Sequence, residues 1–151
     1  MWCLLFLIFF ISVLTSQAAP TDFDPYTADM KSRNQMALEC INQVQIDIKI
    51  VKKSIYNPYE LPTDDKYKEF LTCSYKKQKF QSEQGEMLYD NIYEFLSRFY
   101  DKDELKVLDQ CKSITAENDR EMAYISLQCI LKGIRSISDE RSQRMLQVKD
   151  T

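Results

Sequence analysis

Four cysteines carry the plainest chemistry in this sequence: Cys40, Cys73, Cys111 and Cys129. A fifth, Cys3, sits in the apolar run that opens the chain. Cysteines can ligate metal, attack as thiolates or join as disulfides, and the compartment and the neighbouring residues decide which. None of these spacings is close to a zinc-ligand pattern, and the sequence contains no histidine. That absence excludes Ser-His-Asp and Cys-His nucleophilic catalysis. It also excludes His-ligated zinc and an imidazole pH switch. With only Gly85 and Gly133 there is no phosphate-cradling glycine loop. Acidic pairs such as Asp64-Asp65 and Asp101/Asp103 read as helix-start charges. No nucleophile has an obvious base, so the reading is not an enzyme, and no cofactor or metal is expected.

The first twenty residues, MWCLLFLIFFISVLTSQAAP, set the compartment. An apolar run from Trp2 to Leu14 is followed by small residues at Ser16 and Ala18, the pattern of a secretory signal cut after Ala18. The run is short for a membrane span. No Lys or Arg precedes it, which leaves a signal anchor as the alternative. Export places the mature chain of about 130 residues in an oxidising, extracellular setting, and Cys3 leaves with the signal. Four remaining cysteines then argue for two disulfides, for which the count alone allows three pairings. The net charge is −3 and no Asn-x-Ser/Thr site occurs. Nucleic acid is not an expected partner.

The elements that must position the cysteines read as helices almost throughout. From Thr27 to Val44, Met30, Met36, Ala37, Cys40, Ile41 and Val44 recur at helical spacing. Asp47 caps a short helix through Ile50, Val51 and Ile55, stopped by Asn57-Pro58. Thr63 or Asp64 caps a third carrying Tyr67, Phe70, Leu71, Tyr75 and Phe80, and QSEQG then turns the chain. Leu88, Ile92, Phe95, Leu96 and Phe99 form the stripe of a fourth. Asp101 with Glu104 resembles a capping box for a fifth through Leu105, Leu108 and Cys111. Asn118 with Glu121 opens the last. In that helix Met122, Ile125, Cys129, Ile130 and Ile134 form one stripe, while Tyr124, Leu127 and Leu131 cover another side. A helix apolar nearly all round is buried, which places residues 119–136 at the centre; an amphipathic helix with a wide stripe is the alternative. The expected fold is all-α, a bundle of about six helices. The organisation is a signal at 1–18, one domain at 19–136 and a polar tail at 137–151.

Cys111 ends one helix and Cys129 lies within the next, so a short loop makes their helices antiparallel neighbours and favours that pair. Cys40–Cys73 follows by elimination.

Secreted, acidic and six-helical with these cysteines, the chain resembles the insect odorant-binding proteins. That family has a six-cysteine pattern. Matching Cys40, Cys73, Cys111 and Cys129 to its first, third, fourth and sixth leaves its second at Glu69 and its fifth at Arg120. This resembles the four-cysteine "minus-C" subgroup, and the family's pairing implies the same two disulfides. The opposite charges at the two vacated positions suggest a Glu69–Arg120 ion pair in place of a bridge. The resemblance covers roughly residues 27–136. It implies a central apolar cavity holding one small hydrophobic molecule, such as an odorant or pheromone. Eight Phe and nine Tyr supply the aromatic content. The candidate lining residues are Phe70, Ile92, Phe95, Phe99, Met122, Tyr124, Ile125 and Leu127, although residues of these types are more often plain core. A membrane receptor is a conceivable partner, and a monomer or weak homodimer the expected state. Without histidine, pH-driven ligand release would rest on carboxylates, near pH 4 by their ordinary values. The tail reads as solvated, with Met145-Leu146 as a candidate cover for a cavity mouth. The competing reading is a secreted helical protein that acts on a protein partner, in a signalling, seminal or salivary role.

Overall fold

Residue by residue, capping chemistry sets the boundaries of the helices. The computed structural model describes residues 25–149, so the expected signal sequence and cleavage point lie outside the described residues. Helix α1 spans Pro25–Val44. Gln45 then takes the left-handed conformation, with φ 57°. This lets the Ile46 amide close back on the Ile41 carbonyl at 3.2 Å, the hydrogen bond of a Schellman stop. Asp47 caps α2 (Ile48–Tyr56), its carboxylate accepting from the Lys49 amide at 2.8 Å. Asp64, rather than Thr63, caps α3 (Asp65–Lys77), accepting from the Tyr67 amide at 2.9 Å. Then come α4 (Tyr89–Leu96) and α5 (Lys102–Leu105), a 3-10 helix (Lys106–Ser113) and α6 (Asp119–Lys149). Among the described residues the only β pairing is a single bridge, Gln81 to Met87. The chain divides into two units, residues 1–32 and 33–151. Of the first, the described part is the opening turns of α1.

Four elements differ from the sequence expectation, the simplest being α4, which ends at Leu96 and leaves Phe99 beyond it. Helix α3 stops at Lys77, so Phe80 is not on it. Lys79 adopts φ 62°, the Phe80 amide donates to the Tyr75 carbonyl at 2.8 Å, and the reversal turns Phe80 back into the core. The fifth helix is α-helical for one turn only and continues as a 3-10 helix carrying Leu108 and Cys111. The Asp101/Glu104 capping box is present, with the Asp101 amide donating to Glu104 at 3.0 Å. The last helix does not end near Ser136 but runs on to Lys149. Nor is it buried all round. Ala123, Tyr124, Ser126, Ile130, Gly133 and Ile137 face inward, while Ile125 is 37 % exposed. The wide-stripe amphipathic alternative is the one realised. Gly133 permits its close approach to the 3-10 helix, since a Cβ there would lie 2.5 Å from Leu108 Cδ2.

The core of residues 33–151 has two parts. One gathers Cys40, Val44, Ile46, Val51, Tyr67, Phe70, Leu71, Ala123 and Tyr124. The other gathers Phe80, Ile92, Leu105, Leu108, Cys111 and Ile130. Tyr75 packs against both. Each part holds a disulfide: Cys40–Cys73 ties α1 to α3, and Cys111–Cys129 ties the 3-10 helix to α6. The fold is therefore all-α with the two expected bridges.

Glu69 and Arg120 do not pair. Both are exposed, and no ion pair joins them. Their chain neighbours pair instead: Lys68 meets Glu121 at 2.6 Å, and Lys76 meets Asp119 at 2.6 Å. Helical geometry explains the one-residue shift. Lys68, Thr72 and Lys76 form an i, i+4, i+8 row facing the start of α6, where Thr72 also approaches the Asp119 carbonyl at 3.5 Å. Glu69 sits about 100° round the helix from Lys68 and faces solvent. Thermal unfolding followed by circular dichroism should accordingly show a lower Tm for Glu121→Gln and an unchanged Tm for Arg120→Gln. The difference should shrink at high salt.

Candidate ligand-binding cleft

Helices α3, α4 and α6 leave an apolar space between them. It has a volume of about 380 Å³, inside the range of small-molecule sites. Tyr75 reaches it from α3 and Phe80 from the reversal that follows. Ile92, Phe95 and Leu96 reach it from α4, with Phe99 and Tyr100 from the segment just beyond. Leu127, Ile130, Leu131 and Ile134 complete it from α6. The α6 residues are spaced i, i+3, i+4 and i+7, one face of a helix. Four rings run in series along one wall. Their centroid separations are 5.8 Å for Tyr75–Phe80, 5.5 Å for Phe80–Phe95 and 5.7 Å for Phe95–Phe99. The space is not sealed as the resemblance implied: Phe99 is 42 % exposed.

Half of the sequence-derived candidates meet here. Ile92, Phe95, Phe99 and Leu127 line the cleft. Phe70 and Tyr124 do not; both are buried in the other core region, around Cys40. Met122 is half-buried and lies beside the Ser126 hydroxyl at 3.8 Å. Ile125 points outward. Tyr75, Phe80, Leu96, Tyr100, Ile130, Leu131 and Ile134 were not among the candidates. The signal that finds most of the α6 members is the Leu127, Ile130, Leu131, Ile134 spacing, whereas Met122, Tyr124 and Ile125 project in three different directions.

Cations sit over rings of the aromatic wall. The Arg33 guanidinium lies 5.0 Å from the Phe80 centroid and 4.7 Å from that of Phe95. Arg98 lies 5.5 Å from Phe95, and Arg141 lies 5.1 Å from Tyr100. Arg141 also grips Glu104, with Nε to Oε1 at 2.8 Å and Nη2 to Oε2 at 2.5 Å. This pair fastens the end of α6 that the sequence reads as a loose tail. Met145 and Leu146 cover nothing, being 64 % and 65 % exposed.

The Arg141 hydrogen bonds, with that from the Asp101 amide, hold the Glu104 carboxyl down at about 2. Glu39, Asp103 and Asp109 are also lowered, chiefly by hydrogen bonds from Lys77, Lys106 and Lys112. Carboxyls lowered by folding add stability above their ordinary range, and that contribution disappears as the pH falls through the lowered values. Thermal stability should be level from about pH 8 to about pH 5 and fall below about pH 4. A transition near pH 6.5 in a thermal-melt series would contradict this assignment.

Among the described residues no group of three or more His, Cys, Asp or Glu could hold a metal ion. No helix among them is long and apolar enough to cross a membrane. Fold and cleft together define a class: a small all-helical protein, clamped by two disulfides, with an apolar cleft between its helices. The chain belongs to the PBP/GOBP family, whose profile matches residues 25–133, as the cysteine pattern suggested. It is 26 % identical over 106 residues to the B1 protein of Tenebrio molitor, covering 69 % of this chain and 79 % of that one. To the B2 protein of the same beetle it is 27 % identical over 106 residues, covering 69 % and 80 %. Its fold is similar to that of a fatty acid binding protein from the oral disk of the blowfly Phormia regina. That match has a TM-score of 0.60 and 20 % identity, and covers 78 % of this chain and 99 % of that one.

Proposed function

We propose that this protein is a secreted carrier that holds one small apolar molecule in the cleft between α3, α4 and α6. The observation that carries the reading is an apolar space of about 380 Å³ with no charged residue lining it, in a chain of the odorant-binding family. A site of that composition binds by removing apolar ligand surface from water. Burying about 250 Å² of an aliphatic chain contributes about 6 kcal/mol at 25 cal/mol per Å². Association costs take back part of this, so dissociation constants weaker than about 40 μM are expected. The similarity in fold to the fatty acid binding protein of the blowfly supports an aliphatic ligand. The competing reading, action on a protein partner, draws on the outer face of α2. There Ile55 is 69 % and Tyr56 is 80 % exposed.

Fluorescence titration with N-phenyl-naphthylamine, an apolar dye, separates the two. A carrier enhances the dye's emission and releases it to aliphatic competitors. Absence of uptake by the folded, oxidised protein would leave the protein-partner reading.

A further inference from the structure

The cleft contains very little polarity, and what it contains is not used by the protein. Its lining residues have only two polar side-chain atoms, the hydroxyls of Tyr75 and Tyr100. Tyr75 is the more enclosed position, since it packs against both parts of the core. Burial pushes its phenol well above the ordinary tyrosine range. Nearby tyrosines spend their hydroxyls on protein partners. Tyr89 donates to the Cys111 carbonyl at 2.6 Å, and Tyr93 donates to Asp109 at 2.8 Å. The Tyr75 hydroxyl makes no hydrogen bond to any described group, and its residue is only partly buried. A ligand that fills the cleft and covers this hydroxyl takes it away from water, which is costly unless the ligand brings an acceptor.

We infer that the Tyr75 hydroxyl is the polar anchor of the cleft. It selects neutral apolar molecules bearing a hydrogen-bond acceptor, such as esters, aldehydes, ketones or alcohols, over hydrocarbons and over carboxylate anions. The inference rests on the carrier reading and names its ligand class. A hydrocarbon leaves the donor unpaired. A carboxylate pairs it but gives up its hydration to a lining that offers no countercharge. The cations nearest the cleft, Arg33, Arg98 and Arg141, lie against the rings of Phe80, Phe95 and Tyr100 and are not among the lining residues.

The test uses the full oxidised mature protein, N-phenyl-naphthylamine as reporter, and three competitors at neutral pH: decane, methyl decanoate and decanoate. In the wild type the ester should compete about five- to tenfold better than decane, the factor one hydrogen bond supplies. It should also compete better than decanoate. In Tyr75→Phe the advantage of the ester over decane, read as the ratio of the two within the variant, should vanish. Tyr100→Phe should keep the advantage. An unchanged ester-to-decane ratio in Tyr75→Phe, or decanoate competing better than the ester, overturns the inference while leaving the carrier reading in place. Failure of dye and decane alike to bind the wild type ends both. The infrared carbonyl band of bound methyl decanoate gives a readout that needs no variant. It should lie below its position in an alkane solvent, and a band at the alkane position overturns the anchor.

Discussion

Replacing Cys40 and Cys73 together by alanine is expected to lower the unfolding free energy by about 4 kcal/mol. The bridge closes a loop of 33 residues, and by chain entropy its loss frees the unfolded chain by about that amount. Cys40 is fully buried between α1 and α3, so lost packing adds to the entropic term. A domain of this size has only about 5–15 kcal/mol in total. The shift in Tm should be about 10–20 °C. The companion change, Cys111 and Cys129 to alanine, opens a loop of 18 residues and should cost slightly less, about 3 kcal/mol. Thermal melts read by circular dichroism decide both. A double variant melting within a few degrees of the wild type would mean that helix packing alone holds α1 to α3.

The second large effect is on binding. Leu131→Trp should weaken uptake of the apolar dye at least about tenfold, because overpacking costs about 1–3 kcal/mol wherever the indole competes with an occupant. Leu131 is half-buried and lines the cleft from α6, so the added ring has the cleft itself to enter. Ile125→Trp is the matched control. It lies on the same helix but is 37 % exposed on the outer side, and dye affinity should not change. Equal losses in the two variants would contradict the position of the cleft.

The contrast between Leu131 and Ile125 shows where sequence reading stops. Local chemistry was legible: Asp47, Asp64 and Asn118 accept from the amides of the helices they open. The two disulfides were legible from helix order and from the family resemblance. Helix ends were less so. The stop at Lys77 depends on a left-handed lysine, and no glycine or proline marks it. The extension past Ser136 depends on Arg141 finding Glu104, 37 positions away in sequence. The vacated cysteine positions pointed to the right pair of helices, α3 and α6, but to the wrong charges, since the facing row is Lys68, Thr72 and Lys76. Cleft lining is the least legible, because Phe70 and Ile92 are alike as sequence. What separates them is which helices cross nearby: α6 closes over Phe70 with Tyr124, while over Ile92 it leaves a gap.

Nuclear Overhauser contacts between bound decane and the labelled methyl groups of the protein test the account most directly. Contacts should appear at Ile92, Ile130, Leu131 and Ile134, and not at Val44, Ile46 or Val51. Contacts centred on the second set, or none in protein saturated with decane, would contradict it.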